Sequence, residues 1–471
     1  MSICIVGAGV IGLSSAIALY AQGFRDISIV SETVPPNCVS SIAGAIWEYP
    51  PYTIEPQSLA CRWTLESFDV LHRLATTNEL VLPSLDACDK PAVRSAVLAC
   101  APTRLHGVRV RRNVFYWPEP LTDAELAWRD QVRGFRRRHP DDVRLVDASY
   151  LEPTSGRSTA AVSDWYSFEA VVADMSIYLM WLLELALSLG ISVYVEHVST
   201  LEQLAMLQAS SDRCVGATVD TAQLVAVSQG PPQTKAATRP RSFATIVNCA
   251  GIGGSIVSGE RDAMMVGAQG DLVHVYCPEI DHCFNLENHP AGMTYIIVRE
   301  NGTAALIGRA CESWWLTLLS SMYFLLGIVA CGGTRKRVAS RDSRSVPAVE
   351  EPSQREYDAI LARCSNFVPA LRTARVLRHV SGLRPVRELV SPPPAPSSSS
   401  LQPSDVSNHQ VRMEREYRGR SAIIHAYGHG GSGVVCSWGV AMQVVRLVQS
   451  TDTDGNTGQP AGTTSILNAK L

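Results

Sequence analysis

The first thirty-two residues constrain this chain more than any other segment. "ICIVGAGVIGLSSAIALYAQGF" reads as a short apolar strand, a glycine turn and a helix. Gly7, Gly9 and Gly12 have the GxGxxG spacing. The first glycine permits the tight turn, the second lets a pyrophosphate approach the backbone, and the third allows close helix–sheet packing. The segment Gly7, Ala8, Gly9, Val10, Ile11 and Gly12 therefore points free N–H groups and the positive end of a helix dipole at phosphate. A second strand, "DISIVSE", ends in Glu32, placed to bind a ribose hydroxyl pair. An acid there disfavours a 2′-phosphate, so NAD or FAD is expected rather than NADP.

A second glycine cluster lies some four hundred residues on, in "AIIHAYGHGGSGVVCSWGVAMQVVRLV". A strand from Ala422 to His425 runs into Gly428, Gly430, Gly431 and Gly433, followed by an apolar helix carrying Val434, Trp438, Val445 and Leu447. Such a loop is either a second backbone cradle for negative charge or simply a tight turn. At 471 residues and 46% hydrophobic composition the chain can bury two or more cores. A net charge of −3 gives no electrostatic reason to expect nucleic acid or an acidic membrane. Thirteen scattered cysteines, without a CxxC pair or a His/Cys cluster at zinc spacing, read as reduced thiols and no metal site.

Taken with further segments, these two clusters resemble the D-amino-acid oxidase family of FAD flavoproteins. "SSIAGAIWEYPPY" (40–52), which holds Ser41 and Gly44, is similar to the family's turn against the flavin. "WRDQVRGFRRR" (128–138) and "SIYLMWLLELALSLGISV" (176–193) are similar to its middle segments. "VNCAGIGG" (247–254), with Gly251, matches a strand end. "TYIIVRENGTAALIG" (294–308) matches a substrate-side strand pair, and "SGLRPVREL" (381–389), "VRMEREY" (411–417) and "YGHGGSG" (427–433) complete the series in order.

The resemblance implies FAD as cofactor and oxidative deamination of D-amino acids, with hydride passing from the substrate Cα to flavin N5 and oxygen reduced to hydrogen peroxide. It makes Arg384 the two-pronged partner of the substrate carboxylate and Tyr295 a second contact to it. The chemistry suits arginine, whose planar, permanently charged fork fixes a carboxylate's orientation. Gly430 and Gly431, with Ser432 and Gly433, would offer N–H groups to the flavin, while His429 and Arg387 are read as structural. No general base is nominated. The sequence departs from the family at Ala291, where vertebrate members carry a tyrosine, and at Gln269 and Asp271. A D-aspartate oxidase would need a further cation, for which Arg299 and His289 are the candidates. A glycine or sarcosine oxidase and a flavin binder without turnover are the other rivals.

The expected fold is α/β: a Rossmann-like FAD-binding domain of discontinuous segments (1–55, 150–255, 375–450) with an interleaved antiparallel-sheet substrate domain (56–149, 256–374). Two stretches stand apart. Residues 313–334 carry no charge and are long enough to cross a bilayer. A span there would separate Arg384 from Gly7, so no membrane is expected, and about 309–331 is read as an insertion extra to the functional fold or as translated non-coding sequence. Residues 391–410 are a low-complexity loop, also read as extra to the fold, and 451–471 a flexible tail. The tail ends Ala469-Lys470-Leu471, close to the S-K-L peroxisomal address, so the peroxisome and its import receptor are the expected location and partner. Oligomeric state is not readable, and a homodimer is the one assembly kept open.

Overall fold

The computed structural model describes residues 1–51, 54–83, 105–151, 162–204, 214–215, 243–259, 262–287, 294–299, 328–332, 336–338, 349–350, 352–388 and 409–450. The opening segment folds as expected. Strand Ser2–Val6 is followed by the helix Val10–Ala21 and strand Asp26–Ser31, which pairs in parallel with the first. Ser2–Val6 sits at the centre of a sheet, paired on its other side with Thr245–Asn248, and its side chains Ile3 to Val6 are buried on both faces. This explains its uninterrupted apolar run "ICIV". The full order is Arg412–Arg418, Ser421–Tyr427, Thr245–Asn248, Ser2–Val6, Asp26–Ser31, Ser192–Val195, Cys214–Val215. The five inner strands are parallel, and the first and last are antiparallel to their neighbours. This is the doubly wound arrangement expected for a Rossmann-like domain.

Helix Val10–Ala21 is buried over nearly its whole circumference. It packs against Met175–Ser188 and Ser437–Gln449 as well as the sheet, so its sequence has no polar face. Ser437–Gln449 in turn meets Gln57–Thr77. At their crossing the Gly439 N–H donates to Ser67 Oγ (2.9 Å), and a Cβ on Gly439 would fall 2.3 Å from the Trp63 carbonyl oxygen.

The second sheet is mostly antiparallel. Its long strand Met265–Tyr276 pairs with Arg375–Arg387 along one edge and with Ile328–Gly332 and Lys336–Val338 along the other. Thr294–Val298, Cys283–Leu286, Val108–Trp117 and Asp164–Ala173 follow in that order, with Cys283–Leu286 and Val108–Trp117 parallel to each other. An aromatic cluster of Phe115, Trp128, Tyr166 and Phe168 packs around the last two strands, with ring centroids between 5.1 and 6.3 Å apart.

Four readings need correction. Asp164–Ala173 and Arg375–Arg387 were assigned with the FAD-binding segments, yet both are strands of the second sheet. A strand's sheet is decided by its partners, and these lie far away in sequence. The end of the apolar run is also not extra to the fold. Ile328–Gly332 lies between Met265–Tyr276 and Thr294–Val298 and pairs with both. Likewise the last two residues of the stretch read as the loop 391–410 are part of the fold, since His409–Gln410 pairs with Ile54–Glu55; residues 391–408, the rest of the apolar run and the tail 451–471 lie outside the described residues. Among the described residues no helix is long and apolar enough to cross a membrane.

Candidate active site

The two glycine clusters, 420 residues apart, line one cavity of about 1120 Å³ between the sheets. The wall on the parallel-sheet side is built from the N-terminal turn. Gly7 takes φ +107°, which only glycine adopts without strain, and its N–H donates to Val30 O (2.8 Å). A Cβ on Gly12 would fall 1.9 Å from Gly7 O, so the helix can lie this close to the turn only with glycine there. Gly9 caps the helix without any side-chain hydrogen bond to it. The Ala8 N–H donates to Ser31 Oγ (3.1 Å) and the Val10 N–H to Ser40 Oγ (3.3 Å). Glu32 lines the same wall, with its carboxylate 3.3 Å from His197 Nδ1.

Ser41, buried, contacts Cys38 Sγ through its hydroxyl (3.3 Å). Gly44 meets Ile297 closely, since a Cβ there would lie 2.9 Å from Ile297 Cδ1. Gly251 takes φ +58° at the cavity edge. Burial pushes the Cys249 thiol up to about 12, so it is not a nucleophile at neutral pH.

The opposite wall carries Arg384. It sits on Arg375–Arg387 across from Ala268, and its guanidinium lies over Gly270, where a Cβ would come within 2.3 Å of Nη1. Arg384 Nη2 donates to the Tyr295 hydroxyl (3.3 Å). Burial raises the pKa of Tyr295, so it stays a neutral donor. Arg384 and Tyr295 therefore meet, as expected. Arg387 is structural: its Nε donates to Asp262 Oδ2 (2.6 Å) and its Nη1 to Gln410 Oε1 (3.2 Å).

The second glycine loop reaches the cavity but not entirely as expected. The Gly430 N–H donates to Pro385 O (2.8 Å) and the Ser432 N–H to His429 O (3.0 Å), so neither amide is available to a cofactor. Gly430 is taken by an isolated antiparallel bridge between Val386 and His429, which sequence spacing cannot reveal, and Ser432 by a local turn. Gly431 and Gly433 donate to no described residue and line the cavity.

Two functional candidates were missed. Glu48 and Glu287 both line the cavity. Glu48 is exposed to the cavity and Glu287 is half-buried. Desolvation, reinforced by the neighbouring Glu287, raises the Glu48 carboxyl to about 7 against the pull of Arg384. Burial also raises Glu287 to about 7. Glu48 stood within the segment read as a flavin turn, and Glu287 follows an apolar strand with no motif around it.

Arg299 lies elsewhere. It is buried, 3.3 Å from Asp174 Oδ1, and its Nη2 donates to Ala43 O (2.7 Å). His289 and Ala291 fall outside the described residues. Gln269 Nε2 donates to Asp271 Oδ1 (3.0 Å) and to Glu350 O (2.8 Å), so those two departures from the family form a structural pair.

The Ala8 and Val10 amides expected to be free are thus taken by Ser31 and Ser40, but a glycine-walled cavity at a helix start, facing an arginine, fits a flavin-dependent oxidoreductase. The family model for FAD dependent oxidoreductases (DAO) matches residues 2–447, and the chain belongs to that family. It is 28% identical over 444 residues to the D-amino-acid oxidase of Rubrobacter xylanophilus, covering 94% of both chains. It is 26% identical over 447 residues to that of Streptomyces coelicolor, covering 94% of this chain and 96% of the other. Among solved structures, glycine oxidase from Bacillus cereus superposes with a TM-score of 0.60 at 14% identity, covering 95% of this chain and 97% of that one. The cofactor is FAD. The residues present fit it: glycines at Gly7, Gly9 and Gly12 leave the cavity wall free of side chains, and uncommitted amides lie at Gly431 and Gly433.

Proposed function

We propose that the chain oxidises D-amino acids to 2-oxo acids, with release of ammonia and hydrogen peroxide. The observation that carries this reading is the Arg384 fork beside the Tyr295 hydroxyl in the same cavity as the glycine walls. Arg384 accepts the α-carboxylate through two parallel N–H donors, and Tyr295 supplies a third. A substrate held by that group loses rotational freedom, which limits how its Cα substituents can meet the reacting partner. Bound FAD supplies the acceptor for the hydride leaving Cα, and oxygen takes the electrons onward.

The fold does not by itself choose among amine substrates. Support for D-amino acids comes from the relatives matched over nearly the full chain. Of the two cations considered for D-aspartate, Arg299 is committed to Asp174 and Ala43, and His289 lies outside the described residues. The test is anaerobic mixing of the purified protein with D-alanine or L-alanine while the oxidised-flavin absorbance is followed. Bleaching by D-alanine alone supports the reading. A flavin that L-alanine bleaches equally, or that no D-amino acid bleaches, refutes it. We further propose peroxisomal targeting through Ala469-Lys470-Leu471, with the import receptor as partner.

A further inference from the structure

Glu48 and Glu287 have no role in the reaction proposed above, which needs an anchor for one carboxylate and no acid. Both line the cavity that holds Arg384, Glu48 exposed to it and Glu287 half-buried. Glu48 interacts electrostatically with Glu287, Arg384 and Tyr295, so the four groups share one neighbourhood. Among the described residues neither carboxylate makes a hydrogen bond or an ion pair. Acids lining a cavity without a partner are open to a ligand that brings the counter-charge. Arg384 does not fill that role for both, because its fork also faces the Tyr295 hydroxyl and the open cavity.

Above pH 7, where both are ionised, the cavity thus offers one cationic fork and, apart from it, two carboxylates. The complementary small molecule carries a carboxylate at one end and a cation at the other. A D-amino acid with a neutral side chain supplies only its α-ammonium against two acids. One with a second carboxylate places like charge beside them, which weakens binding. One with an ammonium or guanidinium at the end of its side chain supplies the missing counter-charge, and a guanidinium also presents a planar donor edge to a carboxylate.

We propose that Glu48 and Glu287 form a specificity pocket for a cationic side chain, so that the preferred substrates are basic D-amino acids such as D-arginine and D-lysine. This rests on the oxidase reading for its chemistry, but the pocket can be tested without turnover. The probes are 5-guanidinopentanoate, which is D-arginine without its amino group, and hexanoate, an uncharged chain of comparable reach. Neither has an α-amine to oxidise. Binding to the FAD-loaded protein is read from perturbation of the flavin spectrum and by calorimetry.

The expected result is at least tenfold tighter binding of 5-guanidinopentanoate than of hexanoate, with glutarate weaker than either. In the Glu48→Gln/Glu287→Gln double variant the guanidinium advantage should fall below about threefold. Equal binding of the two probes by the parent protein overturns the proposal, whatever the variant does. Retention of the full advantage in a folded double variant overturns the assignment to these two acids. The two readings fail separately. If D-alanine and D-arginine both leave the flavin oxidised while the probe preference holds, the oxidase reading fails and the cation pocket stands. If D-alanine bleaches the flavin but the probes bind alike, only the pocket fails.

Discussion

Gly9 and Gly12 are three residues apart in one motif, yet the structure assigns them different physical duties that alanine can separate. A Cβ at position 12 would stand 1.9 Å from the Gly7 carbonyl oxygen, about 1.1 Å inside the shortest separation that real Cβ atoms show. Both partners are backbone, so no side chain can rotate away and the helix or the turn must move. Overpacking of this kind costs roughly 1–3 kcal/mol, and with no flexible atom to yield we expect the upper end, about 3 kcal/mol. In a domain of this size that corresponds to a fall of roughly 6–12 °C in the melting temperature.

A Cβ at position 9 meets only Ser40 Oγ, at 3.1 Å, the end of a rotatable side chain. That substitution should cost the apoprotein well under about 1 kcal/mol, as expected where no packing is violated. Its methyl group would instead occupy cavity space beside the helix start, where phosphate must approach. The assay is thermal unfolding of FAD-stripped Gly9→Ala and Gly12→Ala proteins, followed by FAD titration of each. We expect Gly12→Ala to lower the apoprotein midpoint and Gly9→Ala to leave it near the parent's while weakening FAD binding by tenfold or more. Identical apoprotein midpoints for Gly12→Ala and the parent would refute the reasoning.

Other outcomes follow from the same geometry. Arg384→Lys replaces a fork with a point charge and should raise KM for the substrate by at least tenfold, measured against unchanged FAD content. Tyr295→Phe removes one hydroxyl 3.3 Å from Arg384 and should raise KM by about threefold to tenfold, the worth of a single hydrogen bond of roughly 1 kcal/mol. Glu48 and Glu287 have folded pKa values raised to about 7 from an ordinary 4.5. Their contribution is intact below pH 4.5 and is lost as pH rises through 7. The double glutamine variant should therefore melt higher than the parent at pH 8 and lose that advantage by pH 4.5. Removing Ala469-Lys470-Leu471 should leave a fluorescently tagged protein diffuse in cells, and continued punctate fluorescence would argue against the address.

The sequence made the N-terminal turn legible because every constraint on it is local. Strand, glycines, helix and Glu32 occupy thirty-two consecutive residues, and each is dictated by its immediate neighbours. Arg384 and Tyr295 were legible only through family resemblance, since nothing in their spacing brings them within 3.3 Å. Their meeting depends on a sheet in which Arg375–Arg387 pairs with Met265–Tyr276, a partner more than a hundred residues earlier. The same non-local pairing hid the fate of Gly430. Its glycine loop was recognisable, but the bridge from Val386 to His429 that consumes its amide was not. Glu48 and Glu287 left no pattern because two acids acquire meaning here only by facing each other across folded space. Ile328–Gly332 shows the opposite hazard: a stretch that reads as foreign by hydropathy supplies a strand that two others require.

The contacts around Arg387 bear on how this chain tolerates change in length. On one side of residues 389–408, Arg387 is fixed by Asp262. On the other, His409–Gln410 pairs with Ile54–Glu55, and the Gln410 side chain accepts directly from Arg387. The two ends are thus fastened to each other and to the framework, and both the Arg384 fork and the Gly431 amide lie outside the fastened pair. The positions of the Arg384 fork and the Gly431 amide are therefore tied to the framework on each side of that stretch and not through it.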